Sequence, residues 1–291
     1  GPLGASSRDM VDGAKLALAE AGGKAGRFTV TFAALDETGA PAEAARAAIR
    51  DLQTVAVIGA GTSRSGRVMV PLLDAAGVAL VSPGATQTNL TSDARFHPSG
   101  ATTFGRIVGT DADQVRQMLD TADGRVAIEH DGSETGRQMS DEAERQLAEL
   151  GREPSDSRRA TLLYFGEDLA TAAEVLNGDL PGGALVPDQL ARRGLASQLT
   201  GRARETVGLM YAAPSLRMVP EPFVESFRER FGREPGRYTV LGYEAMRTVL
   251  GAIDRAGKRG SSRRAVVRQL LSRRLGSPRY HLNTAADDLS R

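Results

Sequence analysis

The sequence predicts an α/β fold wound around parallel sheets in two Rossmann-like lobes, and three observations carry the prediction. First, Val55-Ala56-Val57-Ile58-Gly59-Ala60-Gly61-Thr62-Ser63 is followed one helix length later by Val78-Ala79-Leu80-Val81-Ser82-Pro83-Gly84-Ala85-Thr86. Each is a short apolar run ending in Gly, Ser and Thr, as expected of buried parallel strands that deliver small polar residues to one sheet edge. Second, helical and strand periods alternate with little padding up to Val81, the mark of βαβ winding. Third, the alternation restarts after residue 110 and runs to Tyr211, repeating the unit as a second lobe.

Taken in order, an amphipathic helix over 9–21 ends at Gly22-Gly23. It precedes a strand over 28–35, a helix over 41–51, the strand 55–58, a helix over 65–76 and the strand 78–81. Residues 93–109, rich in Ser, Gly, Thr and Pro, suit a linker better than an element. The second series is helix 111–121, strand 125–130, helix 134–150, strand 161–165, helix 168–176, and strands at 184–186 and 207–211. After Pro220 the pattern turns helical, over 221–231, 238–256 and 262–273, the last two separated by Gly257-Lys258-Arg259-Gly260. No short-period repeat or low-complexity tract appears.

Composition narrows the function. The 291 residues are 41% hydrophobic and 25% charged with a formal net charge of +1, which describes an ordinary globular chain of one or two domains. The basic residues, nearly all Arg, alternate with Asp and Glu along helices, so the chain lacks the basic face of a nucleic-acid binder. With no Cys, disulfides, thiol catalysis and thiolate metal sites are excluded. No apolar run approaches a bilayer-spanning length, and no basic segment followed by an apolar stretch opens the chain.

At this point the residues carry a resemblance. Ile58-Gly59 through Ser63, Gly77-Val78 through Val81-Ser82-Pro83-Gly84-Ala85-Thr86, and Leu90-Thr91 resemble the first-lobe signature of type I periplasmic binding proteins, in the branched-chain amino-acid-binding subfamily of ABC transporters. The likeness extends to Asp12-Gly13-Ala14-Lys15-Leu16-Ala17-Leu18, to Arg237-Tyr238 with Gly242-Tyr243-Glu244-Ala245, and to Ala252-Ile253-Asp254-Arg255-Ala256-Gly257. It implies a two-lobed clamp joined by a three-strand hinge, with lobe 1 from 1–106 plus 237–272 and lobe 2 from 107–236 plus 273–291. It also implies a non-enzymatic, extracytoplasmic protein, periplasmic or a cell-surface lipoprotein. Such a protein captures a small amino acid or related zwitterion in an interlobe cleft and delivers it to the membrane permease of an ABC transporter, without a cofactor. Receptors and kinases also carry such clamps as sensor modules, the alternative reading.

Carried over residue by residue, the resemblance assigns Ser63 and Thr86 to the solute's α-carboxylate and the Gly84 carbonyl to its ammonium. Asp188, in Val186-Pro187-Asp188, falls where the family has an acid for that ammonium. Thr62 and Ser63 open a helix whose amides and dipole favour an anion, although Ser and Thr also cap helices with no ligand present. Thr135 stands where relatives place an aromatic residue just before a Gly. In Gly166-Glu167-Asp168 an acidic pair replaces another aromatic, so the wall is more polar than a leucine pocket. Asp168 reads as an acid at a helix N-terminus as readily as a ligand contact. Relatives begin with a central strand ahead of a Gly-Pro-Leu-like loop and end with further strands. This chain starts at the loop and stops early, as an excised part of a longer protein would.

The rival from another class is a dinucleotide-dependent (NAD(P)) enzyme, prompted by Gly59-Ala60-Gly61 after a strand. Arg64 stands where the fingerprint needs its third Gly, and Ser82-Pro83 ends the next strand where an acid belongs. Ser63 and Ser82 lack the Gly-x-Ser-x-Gly elbow of a hydrolase nucleophile. His97 and His281 read as surface residues, and His130 ends a strand. No His or acidic cluster has metal-ligand spacing.

Overall fold

Residues 2–122, 124–272 and 281–284 are described by the structure, a computed structural model. Helix α1 (Pro2–Glu20) is followed by a small hairpin, β1 (Lys24–Ala25) with β2 (Phe28–Thr29), then α2 (Pro41–Arg50), β3 (Ala56–Ile58), α3 (Ser63–Ala75), β4 (Ala79–Ser82) and β5 (Phe104–Arg106). The next stretch carries α4 (Asp111–Thr121), β6 (Val126–His130), α5 (Glu134–Glu149), β7 (Thr161–Phe165), α6 (Leu169–Leu176) and β8 (Ala184–Val186). It continues with α7 (Asp188–Ala191), α8 (Ala203–Thr206) and β9 (Val207–Tyr211). The rest is α9 (Glu221–Phe231), α10 (Thr239–Arg255), α11 (Arg263–Leu271) and β10 (His281–Thr284).

The described chain divides into two compact units: Ala5–Gly109 with 213–272, and Thr110–Ala212 with 2–4 and 281–284. In the first unit β3, β4 and β5 form a parallel sheet in that order, with Val57 opposite Leu80 and Val81 opposite Gly105. The core between this sheet and α3 includes Met69, Val70, Leu73, Leu80 and Phe104, and each large side chain buried there contributes about 1.5–3 kcal/mol. Helix α1 presents Met10, Ala14 and Ala17 inward at helical spacing. It crosses α10 so closely that a Cβ on Gly13 would lie 1.9 Å from the Thr239 carbonyl oxygen, and one on Gly242 1.8 Å from that of Met10. Only glycine fits at this crossing.

The second unit holds a five-stranded sheet ordered β10-β9-β8-β7-β6, parallel except for β10, which runs antiparallel to β9. Thr110 and Asp113 form a reciprocal capping box at the start of α4. Leu163, Tyr164 and Phe165 of β7 are buried, as a strand covered on both faces requires.

Four expectations need correction. Only Phe28–Thr29 of the run 28–35 is a strand, paired with Lys24–Ala25; Leu35 is half exposed, and among the described residues β3 pairs with β4 alone. The linker 93–109 contains β5, because the open edge of β4 takes Phe104–Arg106 as a third strand. His97 is not a surface residue: its side chain is 10% exposed, and Nδ1 lies 3.6 Å from Oδ2 of the fully buried Asp74. Finally, 213–236, placed in lobe 2, groups with the first unit. There Phe223 meets Tyr243 edge-on at 5.1 Å, and Arg233 pairs with Asp9 and Asp12 of α1 at 3.1 and 2.8 Å. Of the range 273–291, only 281–284 lies within the described residues.

Candidate functional site

Parallel strands β3 and β4 end at the same edge of the first unit's sheet, so their trailing loops lie side by side. Ser82, fully buried at the end of β4, ties them together. Its hydroxyl donates to the Ala60 carbonyl (2.7 Å) and accepts from the amides of Gly84 (3.2 Å) and Ala85 (2.8 Å). This serine is therefore structural. Gly84 is a glycine because a Cβ there would fall 2.3 Å from the Gly61 carbonyl oxygen.

Ser63 and Thr86, assigned by resemblance to one carboxylate, converge. The Ser63 hydroxyl oxygen accepts from the amides of Thr86 (3.1 Å) and Gln87 (3.0 Å), and lies 3.5 Å from Thr86 Oγ1. Both its lone pairs are engaged, so the hydroxyl acts further only as a donor. Ser63 is half-buried and Thr86 buried, at the N-terminus of α3 where the helix dipole favours an anion. Thr62 behaves differently: its side chain accepts from the Ser65 amide at 3.1 Å and caps α3.

Sequence reasoning missed the supports of the Thr86 loop. Buried Arg106, on β5, donates from Nη1 to the carbonyls of Ala85 (3.1 Å) and Gln87 (2.8 Å), and Arg67 donates to Gln87 Oε1 (2.9 Å). A guanidinium presents several donors in one plane and so fixes two carbonyls at once. The residue types hide this role, because Arg106 lies in a Ser-, Gly- and Thr-rich stretch that reads as a linker.

The second unit's assigned residues are held by partners within that unit. Thr135, buried in the first turn of α5, donates to Glu167 Oε1 at 2.8 Å. Asp168 caps α6 through Thr171 N at 2.7 Å, and that hydrogen bond holds its carboxyl below the usual range. Asp188 is 1% exposed. Its Oδ1 accepts from the Ala212 amide (2.9 Å), and its Oδ2 lies 3.5 Å from Arg192 Nη1. At the edge of β6, Asp131 accepts from the amides of Ser133 (2.9 Å), Glu167 (2.6 Å) and Asp168 (2.8 Å). Burial pushes its pKa up, but these hydrogen bonds outweigh it and the carboxyl titrates below its ordinary value. His130, exposed, accepts from the Gly132 amide at 3.0 Å. A cavity of about 260 Å³ between Arg27, Asp254 and Lys258 includes none of the assigned residues.

Residues 1–164 match the family model described as periplasmic binding protein. The chain belongs to the periplasmic binding protein family. Among solved structures it resembles an ABC transporter substrate-binding protein from Desulfitobacterium hafniense in complex with Leu, at 16% identity and TM-score 0.72, over 90% of this chain and 83% of that one. It is also similar to a leucine binding protein from Thermotoga maritima, at 21% identity and TM-score 0.69 over 91% and 83%. A third neighbour is an ABC transporter solute binding protein from R. palustris in complex with benzoate, at 16% and 0.68 over 98% and 89%. At these identities the likeness establishes the type I periplasmic binding protein fold. No curated protein matches the chain. Family members are solute-binding proteins of transporters rather than enzymes. Among the described residues no helix is long and apolar enough to cross a membrane, and no group of His, Asp and Glu is placed to hold a metal ion.

Proposed function

We propose that this periplasmic binding protein works outside the cytoplasm as the capture component of an ABC importer. Its solute is a small organic acid gripped by the carboxylate at Ser63 and Thr86, with amino acids and related zwitterions as the first class. The observation that carries the reading is the Ser63 hydroxyl, whose oxygen accepts from two backbone amides and so has only its proton left to give, 3.5 Å from the Thr86 hydroxyl. Each charge-assisted hydrogen bond to a carboxylate is worth roughly 1.5–3 kcal/mol, and a few together reach the ~8 kcal/mol of micromolar binding. For a zwitterion the Gly84 carbonyl is the ammonium acceptor.

A second reading is a carboxylic acid without an ammonium group. It is favoured by Asp188, whose carboxylate is already engaged by Ala212 and Arg192. One experiment addresses both. Leucine, benzoate and their methyl esters are compared by thermal shift and calorimetry on the wild type, Ser63→Ala, Thr86→Val and Asp188→Asn. The acid is expected to stabilise the wild type by about 2.7 kcal/mol at a hundredfold excess over Kd, the ester not at all, and Ser63→Ala and Thr86→Val to lose the effect. Ester binding equal to acid binding would overturn the carboxylate assignment. Leucine binding abolished by Asp188→Asn would return Asp188 to the ammonium and exclude the second reading.

A further inference from the structure

The Ser63 loop has a second anchor, on a residue that neither the sequence pattern nor the resemblance singled out. Glu37 lies in the unpaired stretch between β2 and α2, yet its carboxylate reaches the loop after β3. Oε2 accepts from the Ala60 amide at 2.9 Å and Oε1 from the Gly61 amide at 2.7 Å. These two consecutive amides point the same way because Ala60 sits at φ 56°, the non-glycine left-handed residue among those described. Such a turn costs of order 1–3 kcal/mol unless its surroundings enforce it, and its paired amides form a concavity that takes an anion. Glu37 fills that concavity with both oxygens. The Ala60 carbonyl is held from the other side by the Ser82 hydroxyl, so amide and carbonyl of one strained residue are each fixed by a distant side chain. The reach of Glu37 is set locally, since Asp36 Oδ1 accepts from the Thr38 amide at 2.8 Å and closes a turn around it. The carboxylate sits close over the loop: a Cβ on Gly61 would be a tight 3.2 Å from Oε1.

We propose that Glu37 is a positioning residue of the solute site: by occupying the Ala60–Gly61 amide concavity it holds the left-handed turn that aims Ser63 at Thr86 and at the solute's carboxylate. The proposal rests on the carboxylate reading of Ser63 and Thr86. The requirement is for an ionised group with two acceptor oxygens, because an amide side chain would set its NH2 against one of the two backbone N–H groups.

The test uses Glu37→Ala and Glu37→Gln in the full chain, titrated with leucine and benzoate with and without formate. Hydrogen exchange at the Thr86 and Gln87 amides, which bond to Ser63, is followed with no solute present. Both variants are expected to bind the acid at least roughly tenfold more weakly and to exchange those two amides faster. Formate, entering the vacated concavity, restores Glu37→Ala but not Glu37→Gln, whose side chain blocks it, nor Ser63→Ala. Unchanged exchange at Thr86 and Gln87 in Glu37→Ala would overturn the proposal, as would wild-type affinity in both variants or a loss that formate leaves untouched. If exchange rises and formate reverses it while the wild type binds neither acid, Glu37 keeps its role and the carboxylate reading fails instead.

Discussion

The C-terminal edges of the two sheets solve one problem with opposite chemistry. In each unit two neighbouring parallel strands end in loops whose backbone amides must be satisfied. The first unit joins its loops with the hydroxyls of Ser63 and Ser82, which together accept from four amides. The second joins the loops after β6 and β7 with the carboxylate of Asp131, which accepts from three. A hydroxyl that accepts twice still has a proton to give, whereas an ionised carboxylate has none and adds a negative charge. Asp131 also stands beside Glu167 and Asp168, so negative charge gathers at the second edge, whereas the Glu37 carboxylate at the first edge is engaged by the Ala60 and Gly61 amides.

The strongest way to break this comparison is to remove the charged joint. Asp131→Ala leaves three amides without an acceptor and is expected to cost about 3–4 kcal/mol, measured by denaturant unfolding near neutral pH. Asp131 titrates below its ordinary value in the folded chain. Its contribution is therefore fully present above the unfolded-state pKa of about 4 and fades as pH falls through the lower folded value. Asp131→Asn should flatten that acid loss of stability. An acid limb as steep as the wild type's would mean that the charge at this joint stabilises nothing.

The neutral joint is expected to matter less for stability and more for binding. Ser82→Ala removes one donor and one doubly used acceptor from a fully buried position, for about 2–3 kcal/mol by the cost of unsatisfied buried groups. It should also abolish binding of any acid the wild type takes, since Ala60, Gly84 and Ala85 lose their common partner. Calorimetry on the folded variant checks this, and retained affinity would show that the Ser63–Thr86 pair is aligned without Ser82.

How much of this was legible in the sequence differs between the units' edges. Strands 55–58 and 78–81 were readable because short apolar runs bounded by Gly, Ser and Thr leave few alternatives. Residues 28–35 satisfied a strand pattern, but pairing needs a neighbour's free ladder, which no local pattern encodes, and only Phe28–Thr29 found one. Phe104–Arg106 failed the opposite test: three residues in a Ser- and Gly-rich stretch become a strand because β4 has an open edge. The convergence of Ser63 and Thr86 followed from two parallel strands ending together. The contacts of Glu37 with Ala60 and Gly61, and of Arg106 with the Thr86 loop, span some twenty residues and depend on loop paths that the residue types do not fix. Asp188 matched a motif position, but its partners Ala212 and Arg192 become visible only once β9 and α7 are placed.

The smallest expected effect sharpens the comparison most cleanly, because the two units carry equivalent helix caps of different charge. Thr62 caps α3 through the Ser65 amide, and Asp168 caps α6 through the Thr171 amide. Losing the Thr62 cap to alanine costs about 1 kcal/mol in the usual case, and the charged Asp168 cap, fully exposed to solvent, adds a screened attraction to the helix dipole. Thr62→Ala and Asp168→Ala should therefore lower stability by nearly equal amounts while leaving acid affinity at the wild-type value. Side by side, unfolding and titration then separate capping from contact. A cap variant that loses affinity out of proportion to its stability identifies a side chain that touches the solute. Such a loss at Thr62 would enlarge the carboxylate site by one hydroxyl.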